Sequence, residues 1–322
     1  MAAQADPVAV SPRAPLVSII VAGHNQGRFL RDALDSALAQ EYSPVEVLYV
    51  DCGSKDDSLE VAASYAGRVR CAPRANLGPS GGRNVGIMLA EGDFFCFLDA
   101  DDTMDSDCVL ERIKPFLEDP EVGMVAGAFR AVDEQLEPLP GERQRTGTPN
   151  LRMPGLYIRE PWSPTCGLLV SRRAVCACGL FDPFLWRAED YDFQIRVTRK
   201  FRHVYDPVPR SSYRQIGSSI SRNYSEVFDS VCDALRKNAA FADGRLQFRW
   251  HSFLALIAQS SGGVFGRQAR ERGIAEVLRT TARIALRRPI ILVLFAAWAG
   301  RVVRNRLFRV ARSSASAGGG CL

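Results

Sequence analysis

No glycine-rich phosphate loop of the G-x-x-x-x-G-K-[S/T] type occurs anywhere in the chain, and no G-x-G-x-x-G follows the first apolar run. The first absence excludes a P-loop nucleotidase and the second argues against a dinucleotide-dependent dehydrogenase. Nine cysteines are scattered without a single C-x-x-C pair, and Cys176/Cys178 is the one close spacing. Zinc-ligand spacing is therefore missing, and an odd, irregular set with Cys96 inside an apolar run reads as reduced thiols of a cytosolic protein. The opening MAAQADPVAVSPRAP has no apolar core of the signal-peptide kind, so residues 1–14 read as a disordered leader. No internal repeat is visible.

What is present is a 322-residue chain with 47% hydrophobic and 24% charged residues, enough for a substantial core plus an appendage. Its net charge of +5 is unevenly spread. From Arg267 to Arg312 twelve arginines face Glu271 and Glu276, a charge of +10 that leaves −5 for the remainder. A mildly acidic body with a basic tail points to an anionic partner surface.

Two apolar, β-branched runs begin the folded part, LVSIIVAG (16–23) and VEVLYVD (45–51). Between them Phe29, Leu30, Ala33, Leu34 and Leu38 fall at helical spacing with charges opposite. SKDDSLEVAASYAG reads as a second helix, RVRCA as a short strand, GGRNVGIMLAEG as a third helix and FFCFLD as a buried strand. Strands alternating with helices predict a mostly parallel sheet covered on both faces. Ligands of such sheets bind beyond the carboxyl ends of the strands, where AGHN, VDCGS and LDADD all fall. After Met124 the pattern loosens, and six prolines between Glu137 and Pro164 predict a long surface loop. TCGLLVSRRAV then reads as strand and helix, AEDYDFQIRVTRKF as an amphipathic helix, and helical patterns dominate from Glu226 onward.

The apolar run Phe94–Leu98 ends in Asp99, Asp101 and Asp102. Carboxylates at the mouth of a buried strand repel one another unless something positive joins them. Mg2+ or Mn2+ suits such hard oxygens and typically adds substrate phosphates to one or two carboxylates. A calcium EF-hand does not fit, because the loop glycine and closing Glu are absent. The bland alternative is a solvated acidic turn with Asp105 capping the next helix. The aspartates alone leave the two readings evenly balanced.

PLVSIIVAGHNQGRFLRDALDSALAQEYSPVEVLYVDCGSKDDS, NLGPSGGRNVGIMLAEGDFFCFLDADD and GLFDPFLWRAEDYDFQIR together resemble a family 2 glycosyltransferase of the GT-A fold, over roughly Pro15 to Arg222. The resemblance implies that His24, in the turn matching the family's Thr-Tyr-Asn, supplies the ring that lies against the nucleotide base, and that the neighbouring Asn25 binds the nucleotide-sugar. It implies that Asp51 bonds base or ribose, and that Arg83 and Asn84 stand near the donor. Asp99 and Asp101 become the D-x-D motif, with Asp101 the direct ligand of Mn2+ or Mg2+. Asp190 becomes the general base, and the neighbouring Glu189 contacts acceptor or donor sugar. The implied reaction is a single displacement with inversion, from a nucleotide-diphosphate sugar to a glycan hydroxyl. Two positions depart from the family pattern: Cys52 stands where many relatives carry a second acid, and Ile216 where they often carry His. His203 is read as structural.

The remaining expectations concern the C-terminus. Residues 223–281 are expected to be a helical extension and 282–312 a basic amphipathic segment, with 313–322 disordered. PIILVLFAAWAG (289–300) is apolar, but ten helical residues span only about 15 Å, half a bilayer core. From Arg301 to Arg312, Val303, Leu307, Val310 and Ala311 share one face against Arg301, Arg309 and Arg312. That pattern predicts an interfacial anchor on anionic lipid, hence a protein peripheral to the inner face of the cell membrane and a lipid-linked glycan acceptor. Nucleic acid is not expected, since no basic strand is interleaved with aromatics. Two rivals stand beside the enzyme: a GT-A-fold scaffold that has lost catalysis, motivated by Cys52 and Ile216, and a nucleotidyltransferase, which AGHNQGRF does not support.

Overall fold

The computed structural model describes residues 14–139 and 164–216, with further helical positions at 226, 229–230, 233–234, 237–238, 275, 278–279 and 282. The chain divides into two compact units, 1–151 with 158–216 and 152–157 with 217–322. Every strand among the described residues lies in the first. The basic amphipathic segment expected at 282–312, the leader at 1–14 and the disordered tail fall almost entirely outside the described residues. Among the described residues no helix is long and apolar enough to cross a membrane.

The first half alternates as expected. β1 (Val17–Gly23), α1 (Gly27–Leu38), β2 (Val45–Asp51), α2 (Ser58–Ala63), β3 (Val69–Pro73), α3 (Gly78–Leu89) and β4 (Phe94–Asp99) follow in order. Then come β5 (Thr103–Met104), α4 (Cys108–Glu118), β6 (Val122–Gly127) and β7 (Arg130–Val132). After a 3-10 turn at Thr165–Gly167 the chain forms β8 (Leu168–Ser171), α5 (Arg172–Cys178), α6 (Glu189–Lys200), β9 (Arg202–Asp206) and β10 (Ser211–Arg214). The main sheet has the order β3-β2-β1-β4-β8-β6-β9, parallel from β3 to β4 and again between β6 and β9, with β8 antiparallel to both neighbours. This is the mixed, mostly parallel α/β sheet that the alternation predicts.

Period-two side chains divide the core between the two faces of the sheet. Val17, Ile19 and Val21 of β1 pack with Leu30, Ala33 and Leu34 of α1 and Val109 and Ile113 of α4. Ile20 points the other way, to Ile87 of α3 and to a cluster holding Phe97, Phe181 and Phe193. The register sets the strand ends level: Gly23 pairs with Asp51 across β1–β2, and Ala22 with Asp99 across β1–β4. A second sheet, β5-β10-β7, joins the exit of the aspartate loop to β10, antiparallel at β5 and parallel at β7.

Three expectations need correction. Order does not loosen after Met124: β6 and β7 form there, and β6 is buried throughout. Its glycines weaken the strand pattern because they serve packing. A Cβ on Gly127 would lie 2.2 Å from an Arg112 guanidinium nitrogen, and one on Gly123 2.4 Å from Phe201 Cβ. The second helix is only Ser58–Ala63, because the Asp56 carboxylate accepts the Gly27 and Ser58 N–H groups and shapes a turn instead. Asp105 does not cap α4, whose N-cap position is Asp107. The Asp105 carboxylate pairs with Arg130 instead.

Helix α3 approaches β1 closely, because a Cβ at Gly86 would lie 2.2 Å from Ile20 Cγ2. Gly86→Val forces that contact apart in a buried layer. It is expected to destabilise by about 1–3 kcal/mol, read as a lower urea midpoint at unchanged slope.

Candidate active site

The level ends of β1, β2 and β4 are where the sequence places its polar motifs. At the β2 end Asp51 is 1% exposed. Its carboxylate accepts Tyr49 Oη at 3.1 Å, Gly53 N–H at 3.1 Å and Ser54 N–H at 3.0 Å. These bonds fold the loop back on itself, with Gly53 at φ +78°. Asn25, at φ 55°, knits the β1 turn to the same loop. It donates its N–H to Ser54 Oγ at 2.9 Å and accepts the Lys55 N–H at 2.7 Å. The His24 Nδ1 lies 2.9 Å from the Cys52 carbonyl, and Nε2 lies 3.0 Å from the Asn25 amide nitrogen. A carbonyl only accepts, so Nδ1 carries the hydrogen and Nε2 accepts from Asn25. The Cys52 side chain is buried against α3. Burial, then Asp51, pushes its thiol up to about 11, so it keeps its hydrogen at neutral pH.

One buried guanidinium joins three elements. Arg83 of α3 donates to Asp99 Oδ1 at 2.5 Å, Glu189 Oε1 at 2.7 Å and Thr165 Oγ1 at 2.9 Å. Thr165 Oγ1 in turn donates to Asp99 Oδ2 at 3.1 Å. Burial pulls the Arg83 pKa down, but Asp99 and Glu189 more than offset it and hold it above the ordinary arginine range. Glu189 and Asp190 open α6, where carboxylates favour the helix N-terminus. Burial raises Glu189 against the opposing pull of Arg83. Burial, then Glu189, raises Asp190 to about 7. Asp190 Oδ1 accepts the N–H of Tyr191 at 2.7 Å. Asn84 faces elsewhere: both ends of its amide bond the Phe181 backbone at 2.9 Å, tying α3 to the loop before α6.

Asp101 and Asp102 lie deeper in the same acidic turn. Burial, then Asp99, raises Asp101 to about 7, against the weaker pull of the Gln26 amide and Arg214. Burial, then Asp101 and Asp99, raises Asp102 well above the carboxylate range. Arg214 braces the turn from β10. Its N–H donates to Asp102 Oδ1, Nε to the Asp101 carbonyl and Nη2 to Asp32, each at 2.8 Å. Its guanidinium lies over the Phe29 ring at 4.3 Å. Ile216 is buried two residues further on. Sequence reading missed Thr165, Gln26 and Arg214. Each meets its carboxylate partner only through the tertiary fold.

The family model of glycosyl transferase family 2 matches residues 18–175. Those residues are a family 2 glycosyltransferase domain. An uncharacterized glycosyltransferase of Rickettsia prowazekii (strain Madrid E) is 30% identical over 196 residues, 60% of this chain and 61% of that protein. The uncharacterized glycosyltransferase EpsJ of Bacillus subtilis (strain 168) is 37% identical over 118 residues, 36% of this chain and 34% of that protein. The chain spans between 32% and 61% of the length of three such Rickettsia relatives. Among solved structures, S. aureus TarS 1-349 in complex with UDP-GlcNAc superposes with a TM-score of 0.57 at 16% identity, over 86% of this chain and 92% of that one. The mannosyltransferase PcManGT from Pyrobaculum calidifontis, in complex with GDP-Man and Mn2+, gives 0.58 at 17% identity, over 91% and 88%. At these identities the likeness establishes the GT-A fold.

The raised carboxylates of this family 2 domain fix the sign of a pH effect. A folded-state pKa above the unfolded value means the folded chain holds extra protons, so stability is lost as pH rises between about 4 and 7. Asp101→Asn is therefore expected to stabilise the ligand-free protein by about 1–3 kcal/mol at pH 7.5. The gain should shrink toward zero near pH 4, as followed by urea unfolding across pH.

Proposed function

We propose that this protein transfers a glycosyl group from a nucleoside-diphosphate sugar to a hydroxyl of a glycan, with inversion at the anomeric carbon. The observation that carries the reading is Arg83, which bonds Asp99 of the aspartate turn and Glu189 at the α6 start, next to Asp190. Donor-side and acceptor-side acids thus meet across one guanidinium. In this reading Asp190 is the general base: a carboxylate pushed up to about 7 takes a proton far more readily than a solvated one. One of its oxygens is held by Tyr191 N–H, which orients the other toward the acceptor. The acceptor oxygen forms its bond to the anomeric carbon, the bond from that carbon to the diphosphate oxygen breaks, and the hydroxyl proton passes to Asp190. Glu189, fixed by Arg83, bonds a sugar hydroxyl. His24 and Asn25 line the base end of the donor site, and Asp51 maintains the loop beside them.

Mg2+ or Mn2+ fits the donor set. Asp99 and Asp101 offer hard oxygens, and Asp101 is held near 7 by burial and by Asp99, as a carboxylate short of positive charge would be. Among the described residues no group of three or more His, Cys, Asp and Glu could hold a metal, so the diphosphate and water would complete the coordination. When bound, such a cation stabilises the charge developing on the leaving diphosphate.

The acceptor in this reading is lipid-linked and the protein is peripheral to the cytoplasmic face of a membrane. Twelve arginines between 267 and 312 support that part.

Thermal shifts with UDP, GDP, dTDP and CMP sugars, with and without Mn2+, test the donor side. One nucleotide is expected to raise the melting point only with metal, and Asp101→Ala to abolish the rise. Asp190→Asn should keep that shift yet lose about 10²–10⁴-fold in kcat. In the wild type kcat/KM should climb with pH through about 7, as Asp190 loses its proton. Deleting residues 282–322 is expected to abolish sedimentation with phosphatidylglycerol vesicles while the nucleotide shift survives; unchanged sedimentation would remove the membrane part.

A further inference from the structure

The loop between α5 and α6 is pinned to the core yet presents its largest side chains to solvent. Phe181, Leu185 and Ala188 are buried, with the Phe181 ring stacked on Phe193 at 4.4 Å. Asn84 holds the Phe181 backbone, and Ser80 Oγ donates to the Asp182 carbonyl at 2.9 Å. Asp182 Oδ1 accepts the Phe184 N–H at 2.9 Å, closing a turn. Despite this anchoring Phe184 is 91% exposed and Trp186 54%, beside Leu77 at the entry to α3. Trp186 lies over the helix start, its ring 3.4 Å from where a Cβ on Gly78 would sit. A rigid loop that holds two aromatic rings out of the core presents them to a ligand.

We propose that Trp186, together with Phe184, is the stacking platform for a second sugar ring of an oligosaccharide acceptor. The proposal rests on the glycosyl-transfer reading and places the reacting ring at Asp190, with the next ring on Trp186. Trp186 lies four positions before Asp190, at most about 14 Å of chain, a span that a disaccharide or trisaccharide can bridge. A pyranose with mostly equatorial hydroxyls has an apolar face of C–H groups, and the electron-rich face of an aromatic ring attracts them. The local charge favours this occupant over an anionic bilayer: with Glu189 and Asp192 buried and paired to Arg83 and Arg196, Asp182 and Asp190 still outnumber Arg187 between 180 and 192. The specificity follows from the geometry. In this proposal a monosaccharide engages Asp190 alone, whereas a disaccharide or longer chain engages Asp190 and the platform together.

The full-length protein, labelled and saturated with the nucleotide that stabilises it, would be applied to an array of neutral mono- to tetrasaccharides. Binding is expected for a subset of the di- and longer sugars, weakened at least about tenfold by Trp186→Ala and severalfold by Phe184→Ala. Trp186→Phe, which keeps a ring, should restore most of it. All three variants should keep the wild-type melting point and nucleotide shift. Absence of binding to any oligosaccharide, or equal binding by Trp186→Ala, overturns the platform while an intact nucleotide shift leaves the enzyme reading standing. Loss of the nucleotide shift in the wild type overturns the enzyme reading itself. If Phe184→Ala and Trp186→Ala lose sedimentation with phosphatidylglycerol vesicles and not glycan binding, the patch is a membrane contact and the platform falls.

Discussion

A single buried arginine holds the site together. Arg83 is 5% exposed and receives two carboxylates and a threonine hydroxyl from three different elements. Removing its charge would leave Asp99 and Glu189 facing each other in a medium that screens them poorly, so the geometry of both depends on it. The surplus of acid is large even so. Asp99, Asp101, Asp102, Glu189 and Asp190 all lie in or beside the site; Arg83 pairs with Asp99 and Glu189, whereas the Arg214 guanidinium bonds the Asp101 carbonyl and Asp32, and only its backbone N–H meets Asp102. Burial, together with that surplus of negative charge, raises the pKa of Asp101 and Asp190.

Packing delivers that arginine. Gly82 and Gly86 share one side of α3, and a Cβ at either would collide with Cys52 Sγ at 2.6 Å or Ile20 Cγ2 at 2.2 Å. Without side chains there, the helix lies close on β1 and β2 and carries Arg83 to the strand ends. Gly23 does the same for the aspartate turn, since a Cβ there would be 2.6 Å from the Ala100 Cβ. The small residues thus serve the site by proximity. Enlarging any of them would move charges whose separations are near 2.5–2.7 Å.

The sequence made the scaffold legible wherever a local period was long enough. β1, α1, β2, β4 and α6 lie where apolar spacing placed them, because each buries a continuous face. β6 and β7 were hidden because Gly123 and Gly127 give up strand-forming side chains to make room for Phe201 and Arg112. Within the site, the acids at Asp99, Asp101, Glu189 and Asp190 were readable as short motifs. Thr165, Gln26 and Arg214 were not, since each meets its partner only through the tertiary fold: Thr165 lies 66 residues from Asp99, and Arg214 lies 182 residues from Asp32. Asp51 and Asn84 were expected as site residues from the resemblance, and their hydrogen bonds are spent on loop and helix architecture.

The same charge argument weighs the enzyme against a non-catalytic scaffold. Cys52 and Ile216 remove a polar side chain at each periphery of the site, and both are buried. They leave the central charges untouched. A surface that only bound another protein would gain stability from amides at Asp101 and Asp190, because burial and a like-charged neighbour push each carboxylate up to about 7 and make its ionised form costly. That cost falls when a proton, or positive charge such as a donor-bound cation would carry, arrives at those oxygens. The two strained groups therefore match what a donor diphosphate with its cation, and an acceptor hydroxyl, each bring. Arg83 relieves Asp190 only in part, because its Nη1 and Nη2 are engaged by Glu189, Asp99 and Thr165 and its pull is weaker than burial and the Glu189 charge. On the proposed reading the carboxylate cluster suits a reaction in which charge is delivered and a proton removed, at the stability cost of raised carboxylates in the ligand-free protein.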